Sequence, residues 1–250
     1  MHMPSLIPLL DRRSEPERVW LPGRSVQDQG VINACFSCAI ATAMKARSAS
    51  VPPLSPAFHF HYAGGGEAVN GLTPDQALAA LSRYGVSSFD AHRFADSSQG
   101  SCGLTLEGIR CAPLESADRD GAMRRMEPAP KLENNGYVEV VSGPFTSAMK
   151  TFLRDGTAVV AILFPNPAYW RMWHEKYPQM PRVSQLSNAD GPFDDAHVVC
   201  IIGLDELISC FVVQDSRGTG FGEGGQWLLP FDFADSTLLY RVYGFYSSGI

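Results

Sequence analysis

The run ACFSCAIATAMK at 34–45 constrains this chain most. It is rich in Ala, the strongest helix former, and it offers no polar stripe for water to meet. A helix apolar nearly all round belongs inside a protein, with other elements packed on more than one side. A second helix is punctuated by its caps: Thr73 as N-cap, Pro74 at the first helical position and Gln76 to complete a capping box. Ala77, Leu78, Leu81 and Tyr84 form its apolar face, and Gly85 is its stop. A third helix is expected from about Thr146 to Arg154, with Met149, Phe152 and Leu153 at helical spacing and Gly156 beyond. After it the pattern changes. Val159–Phe164, His197–Leu204, Phe211–Asp215, Gln226–Leu229 and Leu238–Phe245 read as short strands between Gly, Pro or Asp turns. Helices first and strands later predict an α+β fold with two lobes meeting at a cleft.

Composition narrows the partners. The 250 residues carry 20 Lys plus Arg against 26 Asp plus Glu, a net charge of −6, which gives no electrostatic reason to bind nucleic acid or an anionic membrane. With 45 % hydrophobic and 18 % charged residues, the chain reads as soluble and globular. No apolar run approaches the length of a membrane span. No signal peptide is read at the N-terminus, where His2-Met3 resembles a cloning scar, and the compartment stays open, export or delivery as an effector included. Residues 1–24 read as an N-terminal arm. Residues 25–250 read as one unit, helical over about 25–135 and β-rich over about 136–250.

Three residues have chemistry to offer. Cys35 opens the buried helix, where unpaired N–H groups and the macrodipole lower a thiol's pKa. Taken alone, a cysteine there reads as an inert buried one. Cys38 makes the pair a CxxC, which also admits a redox reading, and with Cys200 or Cys210 a zinc reading. The first lacks a preceding strand and the second has the wrong spacing, so Cys38 is expected to pack as a small hydrophobe. His197 begins an apolar strand, from which its ring can enter a cleft. Asp215 ends the next strand, where it can stand beside His197 and fix its tautomer.

Together, QDQGVINACFSCA at 27–39, DAHVVCIIGLD at 195–205 and QDSRGTGFGEGGQW at 214–227 resemble the three active-site segments of papain-like cysteine peptidases, in that family's chain order. The ending GGQWLLPFDF is most similar to bacterial members. The resemblance implies a papain-like two-lobed fold and thiol-dependent peptide hydrolysis without metal or organic cofactor. It implies Cys35 as nucleophile, His197 as general base, Asp215 as the residue orienting His197, and Gln29 in the oxyanion hole. Gly71, Leu72, Ala196, Arg217 and Phe221 are the implied substrate contacts, a peptide or protein being the partner. The chain departs from the family pattern at several places. Asp215 stands where Asn is usual, Arg217 where Trp is usual, and Leu72 where a glycine backbone holds substrate. Ile32 and Val69 together replace a frequent disulfide with an apolar pair. Tyr169, Trp170, Trp173 and Tyr177, in the connection 166–196, are expected to border the leaving-group side of the cleft. Rival readings on the same scaffold are an isopeptidase, amidase or transglutaminase-type effector, and a binding module with a degenerate site.

Overall fold

A computed structural model of the chain describes residues 16–21, 26–29, 33–46, 53–65, 71–86, 137–164, 196–235 and 239–245. The irregular stretch expected at 92–136, the aromatic cluster of 166–196, and Ile32 and Val69 lie outside the described residues.

The Ala-rich segment forms α1, Cys35–Ala46, and ten of its twelve residues are buried. It is covered on two sides. Ala39, Ile40, Ala43 and Met44 join the main core, while Ala34 and Cys38 pack with Phe60 in a smaller cluster. That cluster belongs to α2, Pro56–Phe60, which runs into a π-helical turn at His61–Gly65. Next comes α3, Pro74–Tyr84, with the cap its sequence specifies: Gln76 N–H donates to Thr73 Oγ1 at 3.3 Å and Thr73 N–H donates to Gln76 Oε1 at 2.9 Å. Gly85 ends it at φ +71°, a conformation that glycine adopts without strain.

Seven antiparallel strands are described: β1 Arg18–Trp20, β2 Tyr137–Val140, β3 Val159–Leu163, β4 His197–Asp205, β5 Cys210–Gln214, β6 Gln226–Pro230 and β7 Leu239–Phe245. Their order is β2-β7-β3-β4-β5-β6, with β1 pairing a further stretch of β4. All residues of β3, β4 and β5 are buried, which is why these segments read as continuous apolar runs rather than alternating ones. Two further helices, α4 Phe145–Arg154 and α5 Phe231–Ala234, attend the sheet. Gly244 of β7 lets α4 approach, since a Cβ there would lie 2.7 Å from Phe152 Cδ1.

The architecture is therefore α+β, helices α1 to α3 gathered against an antiparallel sheet, with α1 seated on β4 and β3. This contact brings the first residue of α1 to the first residue of β4. The elements β1, β2, α2, the π turn and α5 are additions to the sequence reading. Each is seven residues or fewer, too short to set a clear period.

Candidate active site

Cys35 is the first residue of α1, and the Cys38 N–H bonds Ala34 C=O at 3.0 Å as the opening turn closes. The helix thus presents its unpaired amides at the cysteine. His197, 3 % exposed, begins β4 opposite Leu163 of β3. Its Nε2 donates to Asp215 Oδ1 at 3.0 Å, and the ring also hydrogen-bonds the Cys35 thiol, which falls to Nδ1 because Nε2 is occupied.

Asp215 follows β5 and is 2 % exposed, yet well supplied with donors. Oδ1 also accepts from Ser216 N–H at 2.8 Å, and Oδ2 accepts from Trp227 Nε1 at 3.0 Å. The Asp215 N–H is held by Gly225 C=O at 2.9 Å. Gln29 comes from a segment laced to the loop after β5. Its N–H donates to Ser216 C=O at 2.8 Å, Gly218 N–H donates to Gln27 C=O at 3.0 Å, and Ser216 Oγ donates to Gln29 Oε1 at 2.5 Å. Fixing Oε1 on Ser216 turns the amide so that its NH₂ is the end presented elsewhere.

The electrostatics follow from burial and pairing. Burial pushes the Cys35 thiol up, but the hydrogen bond and charge of His197, with backbone donors at Val198 and Phe36, bring it below the ordinary value. Burial pulls His197 down, but the charge and hydrogen bond of Asp215, then Cys35, raise it to about 9. Burial raises the Asp215 carboxyl, while His197, Arg217 and the Trp227 N–H together bring it below the usual carboxylate range. The favoured state is thiolate, imidazolium and carboxylate in a row.

Cys35 and His197 open on a cavity of about 430 Å³, which Asp215 does not line. Gln29, Asn33, Cys35, His197 and Arg217 give it polar character. Leu72, Pro74, Ile162, Phe164 and Tyr240 supply an apolar wall. Gly71 and Ala196 also line it, so four of the five substrate contacts expected from the sequence reach the cavity. Phe221 does not. At 1 % exposure it packs in the main core, because the turn carrying it folds back through Phe221 N–H to Gly218 C=O at 3.3 Å. Arg217 pairs across an isolated bridge with Asp28 and acts on Asp215 through charge.

Among the described residues the cysteines 35, 38, 200 and 210 form no disulfide, and no group of three or more His, Cys, Asp or Glu is placed to hold a metal ion. Cys38 is 1 % exposed, and burial raises its thiol well above the ordinary value.

Three participants escaped the sequence reading. Trp227 was legible only as one apolar residue of a strand, although its pairing with Val213 sets it two residues from Asp215 across the ladder. Ser216 looked like a turn residue. His59, fully buried, accepts from Ser37 Oγ at 2.8 Å and donates to Ala77 C=O at 2.9 Å, which ties α1 and α3 through α2. No pattern in the sequence marked it.

The fold is that of papain-like cysteine proteases, helices and antiparallel sheet forming the two lobes. Among solved structures, xylellain, a cysteine protease from Xylella fastidiosa, matches with a TM-score of 0.69 at 19 % identity, over 99 % of this chain and 96 % of that one. Digestive procathepsin L 3 of the Tenebrio molitor larval midgut matches at 0.63 and 16 % identity, over 92 % of this chain and 69 % of its own. Bromelain from Ananas comosus matches at 0.57 and 16 % identity, over 90 % and 94 %. No family model matches the chain, and no curated protein sequence does.

Proposed function

We propose that the protein is a cysteine peptidase of the papain-like class, hydrolysing peptide bonds through Cys35, His197, Asp215 and Gln29. The observation that carries the reading is a thiol at a helix N-terminus, hydrogen-bonded to a buried imidazole whose other nitrogen is held 3.0 Å from a carboxylate, with the thiol and the imidazole lining one cavity.

The chemistry runs in two halves. The Cys35 thiolate attacks the substrate carbonyl, and the oxyanion meets the Gln29 amide and the Cys35 N–H. Imidazolium His197 gives its proton to the leaving amine as the tetrahedral centre collapses to a thioester. Neutral His197 then takes a proton from water, which attacks the thioester and releases acid product and Cys35. Asp215 holds the ring orientation and stabilises its charged form throughout. The relatives' names as proteases support a peptide or protein substrate. The apolar wall suits a bulky hydrophobic residue.

The deciding experiment compares the native protein with Cys35→Ala on a mixed peptide library under reducing conditions, with products read by mass spectrometry at mildly acidic and neutral pH. Cleavage by the native protein alone is expected. Absence of cleavage by both would overturn general peptidase activity and leave an effector restricted to one protein, or a binding module.

A further inference from the structure

The two oxygens of Asp215 face different donors. Oδ1 takes His197 Nε2 at 3.0 Å and Ser216 N–H at 2.8 Å, while Oδ2 takes the indole Nε1–H of Trp227 at 3.0 Å. Trp227 is fully buried and Asp215 nearly so, so water is not at hand to replace a lost partner. An indole nitrogen can only donate, and therefore the atom it meets must accept. A carboxylate meets all three donors at once. A carboxamide does not. With its oxygen on His197 and Ser216, its NH₂ confronts the indole N–H. Flipped, the NH₂ confronts the other two.

We propose that Trp227 is a positioning residue: its indole N–H specifies a carboxylate at position 215 and fixes Oδ1 on His197, so that Asp215 and Trp227 act as one unit. This rests on Cys35, His197 and Asp215 working as a triad. The strand ladder makes the unit rigid, since β6 carries Trp227 opposite Val213 of β5, and Asp215 N–H is pinned to Gly225 C=O just before β6. The charged and titratable groups acting on Asp215 come from several elements. His197 of β4 and Arg217 after β5 act on it directly, and Cys35 of α1 acts through His197. Cys38 of α1 feels its charge in return.

The test is a double-mutant cycle read on the thiol rather than on substrate turnover. Alkylation of Cys35 by iodoacetamide at pH 6 is followed at peptide level, because the chain has six cysteines. The proteins are wild type, W227F, D215N and D215N/W227F, each checked for folding by circular dichroism. Loss of the indole N–H lowers the rate several-fold, and D215N lowers it about tenfold or more. In the double variant the opposed donors are gone, and the rate rises above that of D215N. Losses that simply multiply would overturn the inference while leaving the triad standing. A wild-type Cys35 no faster than an unfolded thiol would overturn both.

Should a variant fail to fold, the wild type supplies a second reading. Of four ¹⁵N-labelled indoles, one exchange-protected N–H is expected to shift as the Cys35–His197 pair titrates. No protected indole responding to that titration would overturn the inference.

Discussion

At Cys35 two opposing effects decide the chemistry. Burial alone would leave an inert thiol, as it does at Cys38 three residues on. The difference is His197, whose own charge is kept by Asp215 against the pull of burial. In the proposed mechanism the working state has Cys35 deprotonated and His197 protonated, so it exists between the two pKa values. Peptide cleavage should therefore rise with pH on the acid side, through a Cys35 pKa below that of an ordinary thiol. It should fall again as pH passes about 9, where His197 loses its proton. A pH profile of kcat/KM checks this, and a flat alkaline side would contradict the assigned imidazolium.

Helices α1 to α3 hold their arrangement partly through His59. Its ring is neutral, accepting from Ser37 and donating to Ala77, and burial lowers its pKa from 6.5 to about 4. Between those values the unfolded chain binds the extra proton and the folded one does not. Stability is consequently unaffected by this group above pH 6.5 and is lost as pH falls toward 4, by about 3 kcal/mol across the window. Urea unfolding between pH 7 and 4 should show the loss. His59→Gln, which keeps a donor and an acceptor but cannot take the proton, should show a shallower pH slope by up to one proton. The elements this device joins were unequally legible. The periodicity and caps of α1, α3 and α4 predict them within a residue or two, and β3 to β7 stand out as apolar runs between turns. In contrast, α2 is five residues long, too short to set a period, and although Ser55 caps it by accepting from Phe58 N–H at 3.3 Å with Pro56 at its first position, nothing in that cap marks His59. The meeting of Cys35, His197 and Asp215 was legible because three separated motifs share one chain order. Trp227 was not, because its partner lies across a strand ladder, and ladder register is invisible in a run of apolar letters.

Across the whole molecule the critical seam is where 26–29 lies against the loop after β5. Two glycines make the fit possible. Gly218 has φ +74°, and a Cβ there would stand 2.7 Å from Asp28 Oδ2; Gly225 has φ +84°, and its Cβ would stand 2.5 Å from Val26 Cγ1. Gly225→Ala adds a strained backbone to an overlap and should cost about 1–3 kcal/mol in unfolding free energy. Because the seam also carries Gln29, kcat should fall more than KM rises. Equal loss in a variant restored to full folding would place the seam outside turnover. The same seam has a bearing on how the molecule is made. Gln29 and Ser216 stand 187 residues apart in sequence, and Cys35 is likewise polymerised long before His197 and Asp215. The thiol is therefore synthesised well before the groups that hold it below the ordinary thiol pKa. Until β4, β5 and β6 have emerged and paired, the growing chain carries a cysteine without the imidazole and carboxylate that lower its pKa.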